Sequence, residues 1–231
     1  MESYAYIGEN LARIRETCEA RAARLGVPAP RLLAVTKSAS ADEVRALVSE
    51  YGQDAIAENR TSLFLDRYEM FSDEARPEMH LIGSLQTNKV KYIAGKVALI
   101  HSLDSLRLAA EIEKQAAKRD VRIRALIEIN SGREEAKGGL LFEEVEAFAM
   151  AVKEGYPHVA LSGVMTMAPV CTDTEAYRPY FRETARVYRT LCEGGFFEGA
   201  PVLSMGMSGS YEIAIEEGAT VVRVGRALFA R

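Results

Sequence analysis

Residues Val221–Arg231 read VVRVGRALFAR, and how this stretch is read decides the fold. Three valines flank a single arginine, a glycine follows, and the sequence ends six residues later. Taken alone it is one short β-rich run. Read toward the N-terminus, it is the eighth such run, after RLLAVTK (31–37), DAIAEN (54–59), MHLIGSL (79–85), ALIHSLD (98–104), IRALIEINS (123–131), VALSGVMTM (159–167) and PVLSMGMS (201–208). Amphipathic segments lie between them, among them ADEVRALVSEYG (41–52), SLRLAAEIEKQAAKRD (105–120), FEEVEAFAMAVKEG (142–155) and DTEAYRPYFRETARVYRTLCEGG (173–195). Strands that alternate with helices pair in parallel through right-handed crossovers. Runs that are apolar throughout, not at every second residue, are buried on both faces. Eight of them predict an α/β fold, a closed (β/α)8 TIM-type barrel. The alternative is an open doubly wound sheet.

The last run leaves no room for a closing helix after LFAR. An outer face would then be bare at the seam, and the free candidate to cover it is an N-terminal amphipathic helix over Tyr4–Leu25, with Ile7, Leu11, Ile14 and Cys18 at helical spacing. No linker or repeat divides the chain, so residues 1–231 are expected to form one domain, with no C-terminal β domain. At 48% hydrophobic, 27% charged and a net charge of −4, the composition is that of a globular protein and gives no reason to expect nucleic acid or an anionic membrane as partner. Without an apolar leader or a bilayer-length segment, the expected location is the cytoplasm. Cys18, Cys171 and Cys192 are too few and too scattered for a disulfide framework or a zinc site.

In such a barrel the chemistry sits at the C-terminal ends of the strands. Those ends offer Lys37, Asn59, Gln86 with Asn88, Asn130, Met165, Ser208 and Arg226. Lys37 is either a solvated strand end or an amine partly desolvated at the barrel mouth, able to form a Schiff base with a carbonyl. In SMGMSGSYEIAIEEGA (204–219) small and hydroxyl-bearing residues precede a helix start, and Gly225 in the next loop allows close backbone approach. This suits a phosphate cup, or else a plain helix cap at Ser208 or Ser210. Arg223 either faces outward on a carboxylate or inward on a ligand acceptor, and it needs a partner in both cases. His80, His101 and His158 lack metal spacing and read as structural. Lys89 and Lys91 in LQTNKVK read as a solvated helix start, and GREEAKGG (132–139) as a mobile loop over the mouth.

Taken together, AVTK (34–37), AENR (57–60), HLIGSLQTNKVK (80–91), INSGREEAKGG (129–139), SGVMTM (162–167), LSMGMS (203–208), AIEEGAT (214–220) and VRVGRALF (222–229) resemble, in order and over nearly the whole chain, the pyridoxal phosphate homeostasis proteins, single-domain relatives of the alanine racemase barrel. The resemblance implies that Lys37 carries pyridoxal 5'-phosphate as a Schiff base and that Asn59 lines the pocket. It further implies that Ser208, with the backbone of Gly225 and Arg226, holds the phosphate, and that Ser204 and Met207 belong to the cofactor pocket. Arg223 would face the pyridine nitrogen. An arginine hydrogen-bonds that nitrogen without protonating it, which makes the ring a poorer electron sink. Three positions depart from the family pattern: Ser84, Ser210 and Arg226, the last standing in place of a small hydroxyl residue.

The resemblance also implies a role. Racemisation needs an acid/base group on each face of the substrate, and Lys37 serves only one. The expectation is therefore a cytoplasmic, non-catalytic pyridoxal phosphate carrier or buffer in vitamin B6 homeostasis, monomeric, that hands cofactor to apo-enzymes. The alternatives are a weak cofactor-dependent amino-acid racemase or lyase, and an aldolase using Lys37 on a sugar phosphate.

Overall fold

In a computed structural model, which describes residues 4–231, the eight runs form eight parallel strands closed into a barrel. They are β1 (Arg31–Val35), β2 (Ala55–Glu58), β3 (Glu78–Leu81), β4 (Leu99–Leu103), β5 (Ile123–Ile129), β6 (Val159–Thr166), β7 (Val202–Ser204) and β8 (Val221–Val224). Pairing of β8 with β1, Arg223 level with Leu33, closes the ring. The outer helices are α2 (Ala41–Arg45), α3 (Thr61–Glu69), α4 (Thr87–Ile93), α5 (Leu106–Ala117), α6 (Val145–Gly155), α7 (Arg178–Glu193) and α8 (Tyr211–Glu216), preceded by α1 (Ala5–Leu25).

Alternation along the strands, interrupted by register shifts where β4 pairs with β5 and where β5 pairs with β6, separates two cores. Leu32 and Ala34 of β1 join the large core between strands and helices, with Ile56, Phe64, Leu81, Ile127, Val222 and Val224. Leu33 and Val35 point the other way, into the lumen, with Ala55, Ala57 and Val221. Leu99, Leu126 and Met165 fill the lumen on its far side. Lumen-facing positions near the rim continue this alternation, which is what brings Asn59, Glu128, Ser204, Arg223 and Gly225 toward one another.

The closing helix α8 has six residues, and α1 lies along it as the sequence predicts. Ile7, Leu11, Ile14, Cys18 and Ala22 form its buried stripe, and Gly26 ends it in the left-handed conformation at φ 68°. Arg21 pairs with Glu212 and Glu216 of α8. Asn10, 7% exposed, donates to the carbonyls of Leu228 (3.1 Å) and Ala230 (2.8 Å). Asn10→Ala leaves both acceptors without that donor and should cost about 1–3 kcal/mol in urea unfolding; a loss within error would show that the seam is held by α1's apolar stripe alone.

One helical segment departs from expectation. The stretch 41–52 begins with a Ser40–Glu43 capping box, then widens into a π-helical turn over Ala46–Glu50, with Tyr51 N–H donating to the Ala46 carbonyl at 3.2 Å.

Candidate functional site

The sequence left open which way Arg223 points; it points into the lumen. Only 2% of it is exposed. Nη1 donates to Ser204 Oγ (2.7 Å) and Nη2 to the Thr166 carbonyl (2.9 Å), so three of its five N–H groups have no partner among the described residues. Burial pushes its pKa down to about 10, opposed by the negative charge of Glu128, and the guanidinium stays protonated at neutral pH. Glu128 faces the same lumen from β5, 7% exposed, and its Oε2 has no hydrogen-bond partner. Burial, then the charge of Asp104, raises its carboxyl to about 7, with Arg223 pulling the other way.

Ser204 lies under the rim and is fully buried. Its hydroxyl is taken up by Arg223 and by His101 Nδ1 at 3.1 Å, so it braces Arg223 from below. The loops after β7 and β8 are tied together: Ser208 Oγ accepts from the Ala227 N–H at 3.2 Å. Ser210 Oγ accepts from Met207 N–H at 3.1 Å. Neither hydroxyl caps α8, which corrects the helix-cap reading. Gly225 is required by contact: a Cβ there would lie 2.8 Å from the Val35 carbonyl and 3.1 Å from Val35 Cβ. The end of β8 thereby closes on the end of β1, two residues before Lys37.

Lys37 sits on that rim and is exposed, the first of the two alternatives the sequence left open. Thr36 before it is buried on the helix side of the strand, its Oγ1 donating to Glu58 Oε1 at 2.6 Å, beside Arg67 of α3, and its carbonyl accepting from Ala39 N–H at 3.0 Å. Arg226 and Met207 are exposed on the neighbouring loops, and Asn59 is half-buried at the end of β2. Among the described residues, Lys37, Arg60, Lys89 and Arg226 have no carboxylate partner, although the chain as a whole is acidic. Asn59, Arg60, Ser84, Gln86, Lys89 and Tyr92 line a cleft of about 520 Å³ leading off this rim. A smaller hollow of about 210 Å³ at the opposite end touches Arg31, whose charge is already met by Asp54 (2.9 Å) and Glu78 (2.7 Å).

Two further features differ from the sequence reading. Asn130 fastens the 132–139 loop, donating to the carbonyls of Glu134 (2.9 Å) and Lys137 (3.3 Å) and accepting from Glu134 N–H (3.1 Å). His80 and His101 stand in the lumen in hydrogen-bond contact with each other at 3.0 Å, an arrangement the sequence hinted at only by placing each inside an apolar run. His158 pairs with Glu113 at 2.6 Å on the outside. No group of three or more potential metal ligands occurs among the described residues, and no helix there is long and apolar enough to cross a membrane.

Fold and rim define a (β/α)8 barrel of the alanine racemase N-terminal-domain class, and the model of that domain family matches residues 9–230. The pyridoxal phosphate homeostasis protein of Aquifex aeolicus is 44% identical over 219 residues, spanning 95% of this chain and 93% of that one. The protein of the same name from Deinococcus radiodurans is 39% identical over 220 residues, 95% of this chain and 97% of that one. The structure of PipY from Synechococcus elongatus PCC7942 with PLP bound superposes with a TM-score of 0.80 at 25% identity, covering 97% of this chain and all of that one. The chain belongs to the pyridoxal phosphate homeostasis protein family.

Proposed function

We propose that this chain binds pyridoxal 5'-phosphate at the C-terminal rim of the barrel, with Lys37 as the attachment point, and serves vitamin B6 homeostasis as a carrier or buffer. The observation that carries the reading is Arg223: a protonated guanidinium buried in the lumen, held by Ser204 and Thr166, with N–H groups left for a ligand acceptor. The surroundings fit the group. Ser208 and the Gly225–Ala227 backbone make a tight cup beside the unpaired Arg226, which suits a phosphate. Asn59 and Met207 would flank the ring. Arg223 would donate to the pyridine nitrogen and Ser204 would keep it there. Bound pyridoxal phosphate would supply an aldehyde, and Lys37 would hold it through its amine. The protein would act in the cytoplasm as a monomer and pass the cofactor to apo-enzymes that need it.

Arg223 also supports a carrier in place of an enzyme. A donor that keeps its own proton leaves the ring nitrogen unprotonated, which disfavours carbanion chemistry. Glu128 favours a second reading, weak racemase or lyase activity, because a lumen carboxyl at about pKa 7 is a usable acid/base. Borohydride reduction of the protein with pyridoxal phosphate, followed by peptide mapping, tests the first reading: the pyridoxyl group should be found on Lys37 and on no residue of Lys37→Ala. Label on another lysine would overturn the assignment. Incubation of the loaded protein with D- and L-amino acids should leave their configuration unchanged; conversion that disappears in Glu128→Gln would establish the second reading instead.

A further inference from the structure

A continuous line of hydrogen bonds crosses the lumen from its N-terminal end to Arg223. Glu78, at the start of β3, shares Oε2 between Arg31 Nη1 (2.7 Å) and His80 Nε2 (3.4 Å). His80 Nδ1 meets His101 Nε2 at 3.0 Å, His101 Nδ1 meets Ser204 Oγ at 3.1 Å, and Ser204 Oγ accepts from Arg223 Nη1 at 2.7 Å. The two rings are tilted by 51°, so the contact between them is edge to edge through nitrogen and not a stack.

Burial holds both imidazoles neutral: it lowers the pKa of His80 despite Glu78, and lowers that of His101 well below the ordinary value, with the positive charges of Arg223 and Arg124 acting the same way. A neutral imidazole carries one N–H and one lone pair. Glu78 is ionised at neutral pH, its carboxyl drawn down to about 2 by the His80 hydrogen bond and by Arg31. His80 must therefore present its N–H to that carboxylate from Nε2, since a lone pair there would face another. Its Nδ1 is then an acceptor and His101 must donate from Nε2. His101 Nδ1 accepts in turn, so the Ser204 hydroxyl gives it its proton and keeps its lone pairs for Arg223. Reversing any link would set two acceptors or two donors face to face in a dry lumen, leaving buried polar groups unmet.

We infer that Glu78, at the end of the barrel opposite the ligand rim, is a positioning residue: it sets the tautomers of His80 and His101, and through them the orientation of Ser204 and the seat of Arg223. The half of this inference that concerns cofactor affinity rests on the pyridoxal phosphate reading; the half that concerns tautomers does not.

Long-range proton–nitrogen NMR of the ligand-free chain labelled with nitrogen-15 in histidine reads the tautomers directly, with His158 as an outside reference. His80 and His101 should both carry their proton on Nε2 at neutral pH. In Glu78→Ala, where the truncated side chain is half-exposed and the barrel need not repack, at least one of the two should lose that preference, and the apparent affinity for pyridoxal phosphate should fall about three- to tenfold. Glu78→Gln, whose amide carbonyl can still accept from His80, should restore both. An Nδ1 proton on His101 in the parent chain overturns the proposal, as do unchanged spectra in Glu78→Ala. Shifted tautomers with undiminished affinity overturn the link to Arg223. Should the parent chain show the expected tautomers yet take no label on Lys37, the functional reading fails and the tautomer assignment stands.

Discussion

Glu128→Gln is expected to raise the urea resistance of the barrel at pH 8 and to change it little near pH 5. In the folded chain the carboxyl titrates at about 7 instead of 4.5, because burial and the charge of Asp104 outweigh the attraction of Arg223. A carboxyl raised in this way binds its proton more tightly folded than unfolded. Its contribution to stability is intact below about pH 4.5 and is lost as the pH climbs to about 7. At about 1.4 kcal/mol per pKa unit the loss comes to about 3.4 kcal/mol. Glutamine keeps the shape and removes the charge. Part of the gain is offset by the lost attraction to Arg223, so about 1–3 kcal/mol should be recovered at pH 8. Denaturation midpoints at the two pH values give the answer, with the slope unchanged. Parent and variant curves separated equally at both would mean that Glu128 is hydrated in solution and titrates normally. A group that costs stability where it stands is most simply explained by what it meets when a ligand is bound.

What the sequence could reveal of this architecture was set by periodicity. Eight apolar runs with helices between them lead to a closed parallel barrel, and the short LFAR segment after the eighth run leads to α1 as the cover of the seam. Because the strands are buried on both faces, hydrophobicity could not tell lumen from annulus, and so could not tell which way Arg223 pointed. The answer came from partners on other strands: Ser204 on β7 and Thr166 on β6. His80 and His101 went unread for the same reason, since they lie 21 residues apart in sequence and meet only once β3 and β4 pair side by side. The signal was there in phase: His80 faces the same way as Glu78, and His101 the same way as Leu99, whose side chain packs in the lumen core. Lys37 was correctly placed at a strand end, while whether its amine is solvated or shielded there is something no local pattern encodes. Gly225 shows the converse case, where one residue type at a strand end pointed to a close approach that the neighbouring Val35 carbonyl imposes.

Arg223→Met should leave the ligand-free fold about as stable as it is and cost most of its hold on pyridoxal phosphate. Burial displaces the guanidinium from its ordinary 12.5 to about 10, which amounts to roughly 3 kcal/mol against the charged form at neutral pH. Two hydrogen bonds, to Ser204 and Thr166, return about 1–1.5 kcal/mol each. These terms nearly cancel. Methionine has similar length and no charge. Ser204 keeps its bond to His101, the Thr166 carbonyl loses a donor, and Glu128, with no cation opposite, takes up a proton. The net change in unfolding free energy should stay within about 1 kcal/mol, as when other buried charges give way to apolar residues of like volume. Binding has no such compensation. A charged donor to a ligand acceptor is worth about 1.5–3 kcal/mol, so affinity should drop between tenfold and about a hundredfold. Arg223→Lys, which restores the charge without the fork that reaches Ser204 and Thr166 together, should recover only part of it. Equilibrium dialysis with pyridoxal phosphate beside thermal unfolding of the ligand-free variants separates the two quantities. If Arg223→Met unfolds several kcal/mol more easily and still binds as the parent does, the arginine is a strut of the barrel and the ligand is held by something else.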